Sequence, residues 1–263
     1  MQDLKVTLVQ ADLVWQNAQA NLAKFDALLS SLAGKTDLIV LPEMFNSGFS
    51  MQPELTSEPE NGPTTEWLKA QAAKLGAAIC GSIACNTGEG YSNRLLFVCP
   101  DGTAHHYDKR HLFRMGKEHE HYLPGQVRTV IEYKGWRILP QICYDLRFPV
   151  WSRNHNDYDV VLYVANWPAP RRNPWRTLLQ ARAIENQCYA IGVNRVGEDG
   201  NGLAYSGDSL LVDYLGDIQV DYAPSQAFIE TAQLDATKLQ AFREKFPAWM
   251  DADQFTVQVT ERD

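Results

Sequence analysis

Runs of consecutive apolar residues alternate along this chain with stretches in which apolar residues recur every three or four positions. The first pattern predicts buried β-strands and the second predicts amphipathic helices. LKVTLVQA (4–11) and DLIVLPE (37–43) therefore predict strands, and the segment between them predicts a helix over 17–34. Gly34 follows that helix as a C-cap residue.

The same alternation continues as far as residue 220. It predicts helices over 62–76 and 174–187, strands over 77–85, 93–99, 158–166, 188–195 and 208–220, and hairpins around 100–102 and 134–135. No linker, low-complexity segment or short repeat interrupts the pattern. Strands mixed with helices and hairpins predict a single α/β domain over residues 1–263, with mixed β-sheets and helices on the outer faces.

Composition and charge narrow the possible functions. The chain is 45% hydrophobic and 21% charged, as expected of a soluble protein with a substantial core, and its net charge is −8. A uniformly acidic chain repels phosphate backbones and anionic lipids, so we expect neither a nucleic-acid partner nor a membrane. Five cysteines without CxxC pairing, and Asp3 where a signal peptide would be basic, predict a cytoplasmic protein with reduced thiols.

Four predicted strands end on polar residues that apolar packing does not explain: Glu43, Lys109, Cys143 and Asn166. In α/β sheets, ligands bind beyond the carboxyl ends of parallel strands. Each residue alone has an ordinary interpretation, such as a solvated glutamate, a surface lysine or a core cysteine. Together they predict a site at one edge of the sheet.

Glu, Lys and Cys together can hydrolyse an amide through a thioester. A thiolate attacks a carbonyl carbon, and Glu43 is a suitable acceptor for the proton of the Cys143 thiol. Lys109 would lower the pKa of that thiol and stabilise the oxyanion of the tetrahedral intermediate. Glu43 would then protonate the leaving ammonia and later activate water. Asp145 would only raise the pKa of Cys143 if it faced the sulfur.

Three motifs, LPEMFNSGF (41–49), YDKRHLF (107–113) and QICYDLRFP (141–149), resemble the Glu–Lys–Cys signatures of the nitrilase superfamily. The resemblance extends from KVTLVQAD to GDSLLVDYLG and includes NWP and ARAIENQ. It implies an αββα sandwich whose subunits pair as a homodimer. It also implies that Glu43 is the base, Lys109 the electrostatic stabiliser and Cys143 the nucleophile. No phosphate-binding glycine motif is present, so we expect no cofactor.

Members of the superfamily often carry a second glutamate that orients the lysine. The resemblance implies Glu118 for this role, and Glu120 is the alternative. Two positions depart from the pattern, since Val150 stands where many relatives have Glu and Tyr214 where many have Pro. These departures bear on placement within the superfamily rather than on the three reacting groups.

Among the branches of the superfamily, the chain most resembles the omega-amidases, which hydrolyse the terminal amide of short 2-oxo acids such as 2-oxoglutaramate and 2-oxosuccinamate. Trp167 is a candidate pocket wall, and either Arg171 or Arg172 is a candidate partner for a substrate carboxylate. The two arginines could equally form a solvated surface pair. The predicted substrate-contacting residues are Phe113, Tyr144, Asn166, Trp167 and Arg171.

Other classes of function remain as alternatives. One is a different nitrilase-family amidase, acting on an N-carbamoyl amino acid or on deaminated glutathione. His119 and His121 would face the same way on a strand, as two metal ligands must, but no HExxH motif or cysteine pair completes a set, so we expect no metal. A Cys–His hydrolase would need a histidine against Cys143, and the sequence selects none of the six. A protein without catalytic activity is the last alternative.

Overall fold

Two β-sheets pack face to face in the computed structural model of this protein, which describes residues 2–258. The strands are β1 (Leu4–Gln10), β2 (Leu38–Val40), β3 (Glu58–Pro59), β4 (Ala78–Asn86), β5 (Tyr91–Val98), β6 (Ala104–Asp108), β7 (Ile131–Tyr133), β8 (Trp136–Ile142), β9 (Val160–Ala165), β10 (Tyr189–Asn194), β11 (Val196–Glu198), β12 (Ala204–Ser206), β13 (Leu210–Val212), β14 (Ile218–Val220) and β15 (Phe228–Leu234). The helices are α1 (Ala18–Leu29), α2 (Pro53–Thr56), α3 (Pro63–Leu75), α4 (Pro149–Ser152), α5 (Arg172–Asn186) and α6 (Ala236–Lys245). Among residues 2–258, none of the helices combines the length and the apolar character needed to cross a bilayer.

The two large sheets share one plan, with parallel strands in the middle and antiparallel strands outside. The first has the order β15-β1-β2-β4-β5-β6, with β3 beside β4, and the second has the order β14-β13-β10-β9-β8-β7. The pairs β1–β2 and β2–β4 in the first sheet, and β8–β9 and β9–β10 in the second, are parallel. Because parallel strands end at the same edge, the residues that follow β2, β8 and β9 are carried to one end of each sheet.

Successive residues of the first sheet face different layers, which explains its near-continuous apolar strands. Leu38 and Val40 of β2 join the core shared with the second sheet, whereas Ile39 between them packs with the helices α1 and α3. On the second sheet, α5 approaches so closely that a Cβ on Gly192 would lie 2.4 Å from Leu179. Helices thus cover the outer face of each sheet, and the architecture is the predicted αββα sandwich.

Several element boundaries differ from the sequence prediction. The helix predicted over 17–34 ends at Leu29, and the strand predicted over 208–220 is two strands joined by a turn in which the N–H of Gly216 donates to the carbonyl of Asp213. The hydrophobic pattern predicts no element after residue 220, yet β15 pairs antiparallel with β1 along its whole length and α6 follows it. The amino-terminal strand therefore becomes an inner strand only when the carboxyl-terminal part of the chain folds beside it.

Candidate active site

The chain brings together three of the polar residues that follow strands. Glu43 lies three positions after β2, Lys109 directly follows β6, and Cys143 directly follows β8. Glu43 and Lys109 are fully buried, and the Lys109 ammonium donates to Glu43 Oε1 at 2.9 Å. Glu43 also lies close enough to the Cys143 thiol to raise the pKa of that thiol. The predicted contact among a carboxylate, an ammonium and a thiol is therefore present.

Cys143 occupies a strained turn that starts a short 3₁₀ segment, Cys143–Arg147. Its φ of +44° lies in the left-handed region, which non-glycine residues seldom adopt and which is found most often at functional sites. Asp145 holds this turn: its Oδ2 accepts the N–H of Ile142 at 3.0 Å, and its Oδ1 accepts the N–H of His111 at 2.9 Å. Asp145 thus supports the strand end, with both of its carboxylate oxygens bound to backbone N–H groups.

The surroundings of Cys143 keep its thiol protonated in the free protein. Burial raises the pKa of Cys143 well above its ordinary value, and the negative charge of Glu43 raises it further. Lys109 opposes this shift, as expected, but does not outweigh it. Burial and the two nearby carboxylates therefore dominate, although Lys109 lowers the pKa of the thiol as predicted. Attack by the sulfur therefore requires a base that removes the thiol proton, and Glu43 is the neighbouring carboxylate that can accept it.

Glu118, and not Glu120, completes the buried charge cluster. Glu118 Oε2 lies 2.9 Å from Lys109 Nζ and accepts the N–H of Phe113 at 2.6 Å. Glu120 is exposed and lies 3.7 Å from the ammonium of Lys117. Burial and the charge of Glu43 raise the pKa of Glu118, while Lys109 lowers it.

Lys109 remains a cation despite its burial. Burial alone would lower its pKa, but the charges of Glu118, Glu43 and Cys143 raise it to a net value above the ordinary one. The ring of Phe49 lies 5.0 Å from the ammonium and covers one side of it. A desolvated cation of this kind interacts strongly with any negative charge that develops beside it.

Two asparagines bind the buried carboxylates of Glu43 and Glu118, and one of them, Asn93, was not predicted from the sequence. Asn93 of β5 donates from Nδ2 to Glu43 Oε1 at 2.8 Å and to Glu118 Oε1 at 3.3 Å. Asn166, predicted as a substrate contact, donates its backbone N–H to Glu43 Oε2 at 2.7 Å and its side-chain amide to the Glu43 carbonyl. The only sequence signal for Asn93 was a polar residue opening the apolar strand NRLLFVC, a position where asparagine usually marks a turn.

A cavity of about 380 Å³ opens onto the sulfur. Lys109 and Cys143 line it, whereas Glu43 and Glu118 lie behind them. All five residues predicted to contact substrate also line the cavity, namely Phe113, Tyr144, Asn166, Trp167 and Arg171. The sequence analysis did not single out the loop that joins β11 and β12, which contributes Asp199, Asn201 and Leu203.

Two guanidinium groups lie in the cavity wall. Arg147 lies 4.9 Å from the Trp167 ring and Arg171 lies 5.2 Å from the Phe113 ring. Within residues 2–258 neither arginine forms an ion pair. Arg172 instead pairs with Asp208, so of the two arginines considered for a substrate carboxylate it is Arg171 that faces the cavity.

The histidines lie away from the sulfur. In the part of the chain that the structure describes, no histidine lines the cavity, and His111 Nδ1 is 2.7 Å from Asp145. His119 and His121 are exposed and belong to a 3₁₀ turn rather than to a strand, so they do not share a face as two strand ligands would. No group of three or more His, Cys, Asp or Glu side chains within residues 2–258 is arranged to hold a metal ion.

Residues 5–244 match the family model described as carbon-nitrogen hydrolase. This span includes every residue of the buried cluster and of the cavity wall described above. The chain belongs to the carbon-nitrogen hydrolase family. Membership confirms the resemblance to the nitrilase superfamily that the three motifs indicated.

Several named proteins are similar to this carbon-nitrogen hydrolase. It is 56% identical to the omega-amidase YafV of Yersinia enterocolitica over 97% of this chain and 99% of that one. It is 30% identical to the 2-oxoglutaramate amidase of Bacillus subtilis over 94% of this chain and 96% of that one. A crystal structure of a CN-hydrolase superfamily protein from Xanthomonas campestris, with an arsenic adduct in its active site, has a TM-score of 0.96 and 48% identity and covers 98% of this chain and 100% of that one. Both the predicted fold and the likeness to omega-amidases are thereby confirmed.

Proposed function

We propose that this carbon-nitrogen hydrolase is an omega-amidase that converts the terminal amide of a short 2-oxo acid, such as 2-oxoglutaramate or 2-oxosuccinamate, into a dicarboxylate and ammonia. The observation that carries the proposal is the buried contact of Glu43, Lys109 and Cys143 beside a cavity whose wall contains two guanidinium groups. The likeness to proteins named omega-amidase and 2-oxoglutaramate amidase supports the substrate class.

The first step forms a bond between the Cys143 sulfur and the amide carbon. The thiol proton passes to Glu43 as the sulfur attacks, because the raised pKa of the thiol leaves it protonated until a base accepts its proton. The carbonyl oxygen becomes an oxyanion beside the Lys109 ammonium. The backbone N–H of Tyr144 lies in the first turn of the 3₁₀ segment, where such groups lack partners within the helix, and provides a second donor.

The second step breaks the carbon–nitrogen bond. Glu43 returns its proton to the amide nitrogen, which leaves as ammonia while the oxyanion collapses to a thioester on Cys143. Lys109 lies between Glu118 and Glu43, and Glu118 holds the ammonium in place as the oxyanion forms and collapses. We assign Glu118 this orienting role.

The third step regenerates the thiol. A water molecule takes the position that ammonia has left, and Glu43 accepts one of its protons as the oxygen attacks the thioester carbon. The tetrahedral intermediate collapses, the product carboxylic acid forms, and the proton on Glu43 returns to the sulfur. The same carboxylate therefore accepts a proton twice and gives one back twice in each turnover.

The cavity wall suits the far end of a 2-oxo acid. Arg171 and Arg147, which both line the cavity, offer planar donors to a carboxylate. The rings of Phe113 and Trp167 beneath the two guanidinium groups leave room for a short apolar chain between the charged end and the sulfur. An amide without a distal carboxylate would leave these cations without a partner.

Substrate preference tests this proposal directly. We expect the purified protein to release ammonia from 2-oxoglutaramate with a kcat/KM at least about tenfold above that for glutamine, because the ammonium of glutamine would face two guanidinium groups and like charges across an interface are costly. A coupled ammonia assay measures both values. Equal or absent release from both compounds, together with turnover of a nitrile or an N-carbamoyl amino acid, would place the chain in another branch.

Two neighbouring arginines provide a matched test of carboxylate recognition. We expect Arg171→Leu to lower kcat/KM for 2-oxoglutaramate by about 10- to 100-fold, mostly through KM, because it removes a charged hydrogen-bond partner of the substrate. Arg172→Leu removes a guanidinium that Asp208 already binds outside the cavity, so kcat/KM should stay within about threefold of its original value. Equal effects of the two substitutions would contradict the role of Arg171.

Other expectations remain predictions. They are that the subunit forms a homodimer, that the protein is cytoplasmic, that it acts without a cofactor, and that residues 1–263 form one domain, of which residue 1 and residues 259–263 lie outside the described residues.

A further inference from the structure

Asn93 lies between the two buried carboxylates, and no step of the proposed reaction uses it. Its Nδ2 donates to Glu43 Oε1 at 2.8 Å and to Glu118 Oε1 at 3.3 Å. The Lys109 ammonium donates to the same two oxygens, at 2.9 Å and 3.0 Å. One neutral amide and one cation therefore share the same pair of acceptors.

The sheet fixes the position of Asn93. Asn93 lies opposite Ala84 in the antiparallel pairing of β5 with β4, and its backbone carbonyl accepts the N–H of Lys109 at 2.9 Å. Its side chain is fully buried, and its Oδ1 has no hydrogen-bond partner within residues 2–258. A buried amide with an unpaired oxygen is unfavourable in a core. The contribution of this residue therefore comes from its amino group, which faces the carboxylates.

The charges of the cluster show why that amino group matters. Two carboxylates face a single ammonium, so the cluster retains an excess of negative charge in a place from which water is excluded. We propose that Asn93 is a positioning residue that keeps Glu43 and Glu118 both ionised and correctly spaced, so that Glu43 is available to accept the thiol proton. This inference rests on the proposed role of Glu43 as the base.

The neighbours of Glu43 determine how the inference can be measured. The titratable groups that act on or are affected by Glu43 are Lys109, Cys143, Glu118, Tyr122 and Tyr205. Burial raises the pKa of both tyrosines, and the pKa values of the lysine and the cysteine are raised as well, so none of these four changes its charge in weak acid. A change that substitution of Asn93 makes in the acidic limb of a pH–rate profile is therefore assigned to the two carboxylates that Asn93 contacts.

Asn93→Leu removes both donors at nearly constant volume. We expect the acidic limb of kcat/KM to move upward by about one pH unit, since two carboxylates lose a donor that stabilises their ionised form. We expect kcat to fall by about 10- to 100-fold, with KM within about threefold. Asn93→Ser retains one donor and should give intermediate values.

The control is Asn154→Leu, which removes a buried amide that donates to Tyr158 and Asn186 away from the cavity. This substitution should leave the acidic limb of kcat/KM unmoved.

A readout without substrate separates this inference from the proposed function. The rate at which iodoacetamide alkylates Cys143, followed by mass spectrometry across pH 4–8, should show the same upward shift in Asn93→Leu. A folded Asn93→Leu protein, or Asn93→Ser if the leucine variant does not fold, whose limb and kcat match the original protein would overturn the inference. If the limb shifts with Asn93 but the original protein hydrolyses no 2-oxo acid amide, the inference stands and the proposed function fails.

Discussion

Replacement of Cys143 by alanine is expected to lower kcat for 2-oxoglutaramate by about 10⁴-fold or more, because the step that forms the thioester then has no nucleophile. The fold should survive, since the substitution removes one atom beside an existing cavity. Ammonia release under single-turnover conditions measures the loss, and circular dichroism checks the fold.

Cys188 provides the matched control for this substitution. It is also fully buried, and burial raises its pKa to about 12, but it lies in the turn after α5 and does not line the cavity. Cys188→Ala should therefore keep kcat within about threefold, as expected of a residue away from the reacting groups. Comparable loss of activity in both variants would mean that Cys143 has no special role.

Lys109→Met is expected to damage both catalysis and stability. Without the ammonium, Glu43 and Glu118 remain buried with no counter-charge, and breaking a buried ion pair from one side typically lowers the free energy of unfolding by about 3–5 kcal/mol. Loss of the cation beside the oxyanion should reduce kcat by about 10³-fold. Urea unfolding and steady-state kinetics measure the two effects. The double variant Lys109→Met/Glu118→Gln should recover part of the stability and none of the activity.

The stability deficit of Lys109→Met should depend on pH in a defined direction. Burial already raises the pKa of Glu118 above 4.5, and removal of Lys109 removes an effect that lowers it. A carboxyl whose folded-state pKa is raised destabilises the protein increasingly as pH rises from the unfolded-state pKa to the folded-state pKa, so the deficit should be largest near neutral pH and smallest below the ordinary glutamate pKa of about 4.3. Lys69→Met, which breaks a surface pair with Glu66, should cost less than about 1 kcal/mol. A deficit that grows as the pH falls would contradict this account.

Glu43 and Cys143 could be predicted because they follow buried apolar strands, where packing alone favours apolar side chains. Lys109 follows the polar strand AHHYD and was indicated by its place in a motif that resembles those of the superfamily. The topology brings these strand ends to a common edge. Asn93 gave no such signal, because its partners are side chains that come from other strands and loops. The direction in which Lys109 shifts the pKa of Cys143 could be predicted, whereas the larger effect of burial could not, since the sequence does not show how deeply the thiol lies.

The elements predicted best are those whose own residues show the pattern of a strand or a helix without reference to distant parts of the chain. The strands from Ala78 to Asn86 and from Val160 to Ala165 are buried on both faces and produce long apolar runs. β15, by contrast, exposes part of one face and reads FIETAQL, a pattern that becomes a strand through its pairing with β1, whose residues lie 218 to 230 positions earlier. Gly216 marks the turn inside the segment 208–220, which was predicted as a single strand.

The most direct measurement is the mass of the protein quenched within its first turnovers of 2-oxoglutaramate, followed by peptide mapping. The account predicts a single added acyl group, bound as a thioester to the peptide that contains Cys143 and lost on a time scale matching hydrolysis. An acyl group on Cys80, Cys85, Cys99 or Cys188, or ammonia release with no acylated cysteine at any time, would contradict it.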